Sequence, residues 1–187
     1  MDLPADHPTT NRRAMPALIL KYGAIMGLAF CAYTLFMWLT ELDTTYLRYG
    51  QYLDMAVIAL PVTVIFLALN KARDHFRLKL LDRLAIAVGV GFISYVIYHP
   101  FLYVYHEFIN PDWYEAVIAL QREKLSAAGT SSAEIERMIT ELRARNAAGS
   151  GLFSAAPFIA SVLVVPALIA FLSLLFIRNR TAAPAAT

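Results

Sequence analysis

Four long apolar runs divide the chain, and the stretches between them carry nearly all of its charge. The first is YGAIMGLAFCAYTLFMWLT, from Tyr22 to Thr40, bounded by Lys21 and Glu41. The second is YLDMAVIALPVTVIFLALN, from Tyr52 to Asn70, with Asp54 near one end. The third runs without formal charge from Leu84 to about Tyr105, and the fourth lies between Asn146 and Ile177, its apolar part starting near Leu152. A helix rising about 1.5 Å per residue crosses the hydrocarbon of a bilayer in roughly 20 residues. The strands of a membrane barrel would instead alternate in segments of roughly 10 residues. The pattern therefore predicts an all-α, polytopic membrane protein. Four transmembrane helices are expected near 17–40, 52–70, 84–106 and 152–177, within a membrane domain over 17–177 flanked by tails at 1–16 and 178–187.

The one sizeable segment outside these runs has helical periodicity of its own. Asn110, Pro111 and Asp112 make a helix start, and Trp113, Val117 and Leu120 follow at helical spacing until Gly129. Ser131-x-x-Glu134 is a capping box. Beyond it Ile135, Met138, Ile139 and Leu142 share one face, and charged residues cover much of the rest. The segment 110–148 is thus expected to form an amphipathic helical hairpin between the third and fourth spans. Its apolar stripes either rest on this protein or present a surface to a membrane-protein partner or a second copy of the chain.

Charge sets the expected direction of threading. Arg12, Arg13 and Lys21 precede or enter the first span. Lys71, Arg73, Arg77, Lys79 and Arg83 lie in the short linker between spans 2 and 3, and Arg178 and Arg180 follow span 4. These ten of the sixteen basic residues fall on one side of a four-span chain. Lysine and arginine in short loops stay cytoplasmic, so both termini are expected inside and the hairpin outside, in a bacterial cytoplasmic membrane.

Composition agrees with a lipid environment: 59% of residues are hydrophobic, 16% are charged and the mean hydropathy is +0.55, whereas soluble domains are about 25% charged. A net charge of +2 gives no reason to expect a nucleic-acid partner. The single cysteine, Cys31, allows neither an internal disulfide nor a CxxC metal site. LAFC has the outline of a lipoprotein cleavage box, but Phe30 stands where a small residue is required and mostly apolar residues continue past Cys31. No cofactor is expected. No nucleophile with a base beside it and no phosphate-binding loop stands out, and the expectation is a protein that is not an enzyme.

The stretch SYVIYHPFLYVYHEF, from Ser94 to Phe108, is the densest chemistry in the spans. Tyr95, His99 and His106 fall on one helical face, and Asp54, at the end of span 2, can either pair with Arg48 or approach that face. Three readings stand side by side. Amphipathic aromatics favour the membrane–water interface, so the stretch can be an interfacial belt with His99 buried and hydrogen-bonded and His106 wet. Ionisable groups inside a span are also functional candidates, so it can line a polar pocket for a small ligand, a lipid or protons. A metal or haem site is the third; the seven-residue spacing puts the two histidines roughly 10 Å apart along a helix, too far to share one metal. Pro61 and Pro166 predict kinks in spans 2 and 4. Gly23-xxx-Gly27-xxx-Cys31, Ala85–Gly89 and Ala87–Gly91 are small-residue ridges that permit close helix contact.

The order of these parts resembles a known family. LKYGAIMGL opens span 1, VIFLALNKARDHF leads out of span 2, and INPDWYEAVIALQREKLSAAGTSSAEIERMITEL precedes span 4. Together they are similar to the DUF4199 family of small four-helix bacterial membrane proteins, over roughly residues 20–180. The linker after span 2 departs from the family pattern in being poorer in glycine. The resemblance implies the four-helix architecture and a bacterial cytoplasmic membrane, and it brings no catalytic residues, because the family has no assigned function. The expected role is that of an accessory or scaffold protein working through its outer hairpin. The alternative is a small transporter or a lipid- or ligand-binding protein working through the Tyr95, His99 and His106 face.

Overall fold

A computed structural model describes residues 14–75, 77–149 and 158–178, with backbone only over 145–149. Among the described residues every regular element is helical. Helix α1 is Ala14–Leu39; α2 is Leu47–Ala56 and α3 is Ala59–Arg73; α4 is Leu80–Val104, continued by a π-helical turn at Tyr105–Ile109. The hairpin helices are α5, Trp113–Ala127, and α6, Ser132–Gly149. A second π-helical stretch, Ile159–Val164, leads into α7, Val165–Phe176. Four segments are long and apolar enough to cross a membrane: Ala14–Leu39, Leu47–Arg73, Leu80–Ile109 and Ile159–Phe176. In the last of these, mean hydropathy is 2.7 but only 28% of the window is buried. Its exposed Leu168, Phe171, Leu172, Leu175 and Phe176 are the surface that lipid would cover.

The expected spans shift at their ends for identifiable reasons. Span 2, expected over 52–70, begins five residues earlier and breaks at Val57–Ile58. Pro61 lacks a backbone N–H, and its ring crowds the carbonyl of Val57 four residues back, which ends α2 there. Span 3, expected over 84–106, begins four residues earlier, and α4 contains Asp82 and Arg83. Asp82 Oδ2 accepts the N–H of Lys79 at 3.0 Å and so closes the first turn. Pro166 stands directly after the π-helical stretch, which takes up the register change that its missing N–H imposes. The part of span 4 expected at 152–157 lies outside the described residues, as do Arg12, Arg13 and Arg180.

The described chain forms two compact units. The first comprises residues 14–26, 60–75, 77–95 and 160–178. Ile65, Ala68 and Leu69 of α3, Ile86, Ala87 and Val90 of α4, and Ile169 and Ala170 of α7 are its core. Small residues bring its helices close: a Cβ on Gly23 would stand 2.5 Å from Ile93 Cβ, one on Gly89 2.8 Å from Ile19, and one on Gly91 2.7 Å from Pro166. These ridge glycines serve packing within the unit. Arg83, 3% exposed, donates to Ser173 O at 3.0 Å, Ser173 Oγ at 2.8 Å and Ile177 O at 2.6 Å. A cation at the carbonyl end of α7 donates to Ile177 O, beyond the helix's own bonds, adds a second donor to Ser173 O, and is favoured by the helix dipole.

The second unit comprises residues 27–59, 96–149 and 158–159. Its α5–α6 hairpin turns where the sequence places the break. Thr130 N–H reaches Leu125 O at 3.1 Å and Gly129 N–H reaches Ser126 O at 3.0 Å, a Schellman turn with Gly129 at φ 78°. Ser131 Oγ then accepts the N–H of Glu134 at 3.4 Å. Between the helices Ile118, Ile135 and Ile139 form a buried cluster with Tyr114, Leu125 and Leu142 around it. Arg122–Glu136 at 2.9 Å and Arg143–Glu115 at 2.8 Å bridge the exposed edges, each contributing about 0.2–1 kcal/mol at most.

Substituting Gly91→Ala should lower stability by roughly 1–3 kcal/mol, because Pro166 and Ser161 O leave no room for a methyl group. Gly129→Ala meets no atom within 4 Å, so its loss, about 1–2 kcal/mol, comes from backbone strain alone. Thermal melts of purified protein in mild detergent measure both. A neutral Gly91→Ala would refute the close packing of α4 on the Pro166 segment.

Candidate functional site

The candidate site lies within the second unit and begins at an irregular turn after α1. Leu42 N–H bonds Met37 O at 2.9 Å and Glu41 N–H bonds Trp38 O at 3.0 Å, a Schellman turn whose left-handed position is Glu41, φ 56°. Glycine normally fills that position. A non-glycine residue there costs roughly 1–2 kcal/mol, and the turn is held from outside. Gly50 of α2 packs so tightly on the Leu42 carbonyl that no Cβ could be accommodated, and such a Cβ would also stand 3.0 Å from Met37 Cε. The consequence is the placing of Asp43, which is 6% exposed.

Asp43 is held by the end of span 3. The π-helical turn closes with Asn110 N–H to Tyr105 O at 2.8 Å, an i→i+5 bond that brings the Tyr105 and Asn110 side chains together. Asp43 Oδ2 accepts from the Tyr105 hydroxyl and from Asn110 Nδ2 at 3.2 Å, and Asn110 Nδ2 also lies 3.0 Å from the Tyr105 oxygen. The other carboxylate oxygen, Oδ1, is buried without a partner. So is His106 Nδ1, in the same π-helical turn. Buried polar atoms are satisfied in more than about 90% of cases, so two such atoms in one place require a reason.

Both residues open onto a cleft of about 260 Å³. From α1 come Tyr33, Thr34 and Met37; from α2 comes Asp54. Tyr98 and Leu102 of α4 and Trp113 of α5 complete the walls beside Tyr105 and His106. Tyr33 donates to Asp54 Oδ1 at 2.9 Å, and Thr34 Oγ1 and the Tyr98 hydroxyl are 3.0 Å apart. The rings form a chain: Phe30 stacks on Tyr98 at 5.1 Å, Tyr105 meets His106 edge-on at 5.1 Å, and His106 lies 4.7 Å from Trp113. A larger crease of about 460 Å³ between residues 44–49 and α5 has, among the described residues, no buried unpartnered polar atom on its walls. The Asp43 cleft is therefore the better candidate.

The structure divides the residues singled out in the sequence. His106 and Asp54 line the cleft, while half-buried His99 does not and buried Tyr95 belongs to the first unit. His106 is half-buried rather than wet, because Trp113 covers its ring. Among the described residues no three of His, Cys, Asp and Glu gather as a metal would require. Of the hairpin stripes, Leu120, Ile135 and Ile139 are buried, Trp113, Val117 and Leu142 are half-buried, and Met138 stays 41% exposed. Asp43, Tyr33, Thr34, Tyr98, Tyr105 and Asn110 were not singled out as a site by sequence. Two signals were available: an acid in a short connection between two spans, and the adjacent Tyr33-Thr34 pair within an apolar run.

No curated protein and no solved structure matches the chain. Residues 21–179 match the family described as protein of unknown function (DUF4199), and the chain belongs to that family.

Replacing Tyr105 by Phe should destabilise the protein by about 1–3 kcal/mol, since Asp43 loses a buried donor. Glu41→Gly should stabilise it by roughly 1 kcal/mol by relieving the left-handed residue. Melting temperatures that move the opposite way in either variant would contradict the geometry of this turn.

Proposed function

We propose that this DUF4199 protein is a non-enzymatic, multi-pass protein of the bacterial cytoplasmic membrane that binds a small polar ligand in the Asp43 cleft. The observation carrying this reading is Asp43 Oδ1, buried without a partner on the wall of a cleft lined by four aromatic side chains. Ligand sites are concave, largely apolar and supplied with a few convergent polar groups. At about 260 Å³ the cleft lies below the roughly 300–1,000 Å³ of drug-sized sites, so the ligand is small.

The reading as an accessory or scaffold protein has less support. Its docking surface would be the apolar stripes of the hairpin, but Ile135 and Ile139 of the α6 stripe pack with Ile118, with Leu142 against them. Met138 is exposed, and Trp113 and Val117 are half-buried.

The distribution of lysine and arginine supports inward termini, with the cleft near the outer face. A phosphatase fused after Ala127 should be active and one fused after Leu78 silent; the reverse pattern inverts the protein. Ligand binding is tested by melting purified protein against acetate, phosphate, glycerol and ethylammonium. At least one should raise the melting temperature with concentration, reflecting a stabilisation of about 2.7 kcal/mol at a hundredfold excess over its Kd. Filling the cleft with Leu102→Trp should abolish the shift. If no compound shifts the wild-type protein, the ligand reading fails and the hairpin becomes the better candidate.

A further inference from the structure

Resting on that reading, the geometry points to a protonated amine as the ligand of the Asp43 cleft. Its N–H groups would bond Asp43 and His106, and its charge would face the aromatic walls. Two carboxylates line the cleft, Asp43 and Asp54, and neither lysine nor arginine does. An acidic pair alone would mean little, but Asp43 lines the cleft at 6% exposure, with one oxygen tied to Tyr105 and Asn110 and the other buried without a partner. A carboxylate buried in its ionised form is stabilised by a counter-charge. Among the described residues, no ion pair to Asp43 is present.

The bare atoms also specify the kind of group. Asp43 Oδ1 only accepts, and His106 Nδ1 accepts in the tautomer that carries its proton on Nε2. A ligand satisfying both must donate two hydrogen bonds, which an alkylammonium does and a carboxylate or a quaternary ammonium does not; phosphate is disfavoured by its negative charge beside two carboxylates. Tyr33, Tyr98, Tyr105 and Trp113 offer rings, and a cation within about 6 Å of a ring centre is attracted to its face. Asp54 adds a second negative charge, its Oδ1 accepting from Tyr33 at 2.9 Å. The ligand class is therefore a small primary or secondary amine in its charged form.

The test is the melting temperature of the full chain in mild detergent, titrated at constant ionic strength. The probes are ethylammonium, tetramethylammonium, ethanol, acetate and phosphate. Ethylammonium should raise the melting temperature saturably. Tetramethylammonium, with the same charge and no N–H, should bind at least tenfold more weakly, and the other three should do nothing. Asp54→Asn, on an exposed residue, should weaken ethylammonium several-fold without loss of folding. Asp43→Asn should abolish its binding, and Met138→Ser, outside the cleft, should leave it unchanged. If acetate, phosphate or ethanol binds in a manner blocked by Leu102→Trp while ethylammonium does not, the amine assignment is overturned and the ligand-binding reading survives. If none of the probes binds, the amine assignment falls, and the ligand-binding reading falls with it when glycerol is also without effect. Equal binding of ethylammonium to wild type and Asp54→Asn would show that charge from Asp54 plays no part and would contradict the assignment.

Discussion

A carboxylate taken out of water beside a membrane must be held by donors, and the second unit is arranged around that requirement at Asp43. An uncompensated ion in a low-dielectric setting is expensive by several kcal/mol. Tyr105 and Asn110 supply donors to one oxygen. They reach it only because the chain departs from ideal helix at two places: the left-handed Glu41 that follows α1 and the π-helical turn that follows α4. Strain of this kind persists where the surroundings over-determine it, and it collects at working sites. Here the surroundings are Gly50 against the Leu42 carbonyl and the Asn110 bond to Tyr105.

The first unit meets its polar burden differently. Arg83 is as buried as Asp43, yet its two terminal nitrogens are taken up by the carbonyl end of α7 and by Ser173. The charge there completes a helix end, while glycines set the helix spacing. Arg83 Nε, like Asp43 Oδ1, has no partner, so the two ions differ in their setting: Arg83 completes a helix end, and Asp43 belongs to the lining of a cleft.

Much of the fold was legible in the sequence because the signals were local. Continuous apolar runs marked the spans, Gly129 and Ser131-x-x-Glu134 marked the hairpin turn, and Pro61 and Pro166 marked the irregular helices. The site was only half legible. His106 and Asp54 were found as ionisable groups near span ends, but His99 and Tyr95 were grouped with them on an ideal helical period. The cleft gathers its wall instead from α1, the Asp43 connection, α2, the end of α4, the π-helical turn and α5. Asp43 was overlooked because nothing in its short polar connection distinguishes it from a solvated loop acid. Its burial depends on Glu41 adopting a conformation that glycine usually supplies, and on Tyr105, more than sixty positions away in sequence. Such long-range pairing leaves no periodic trace.

The hydrogen bond between Tyr105 and Asp43 is the most direct point of attack on this account, and a double-mutant cycle measures it. Unfolding free energies of wild type, Tyr105→Phe, Asp43→Asn and the double variant should give a coupling energy within about 0.5–3 kcal/mol, as for residues in one buried network. Strict additivity of the two substitutions would mean that these side chains do not meet, and the cleft built on Asp43 would fall with that contact.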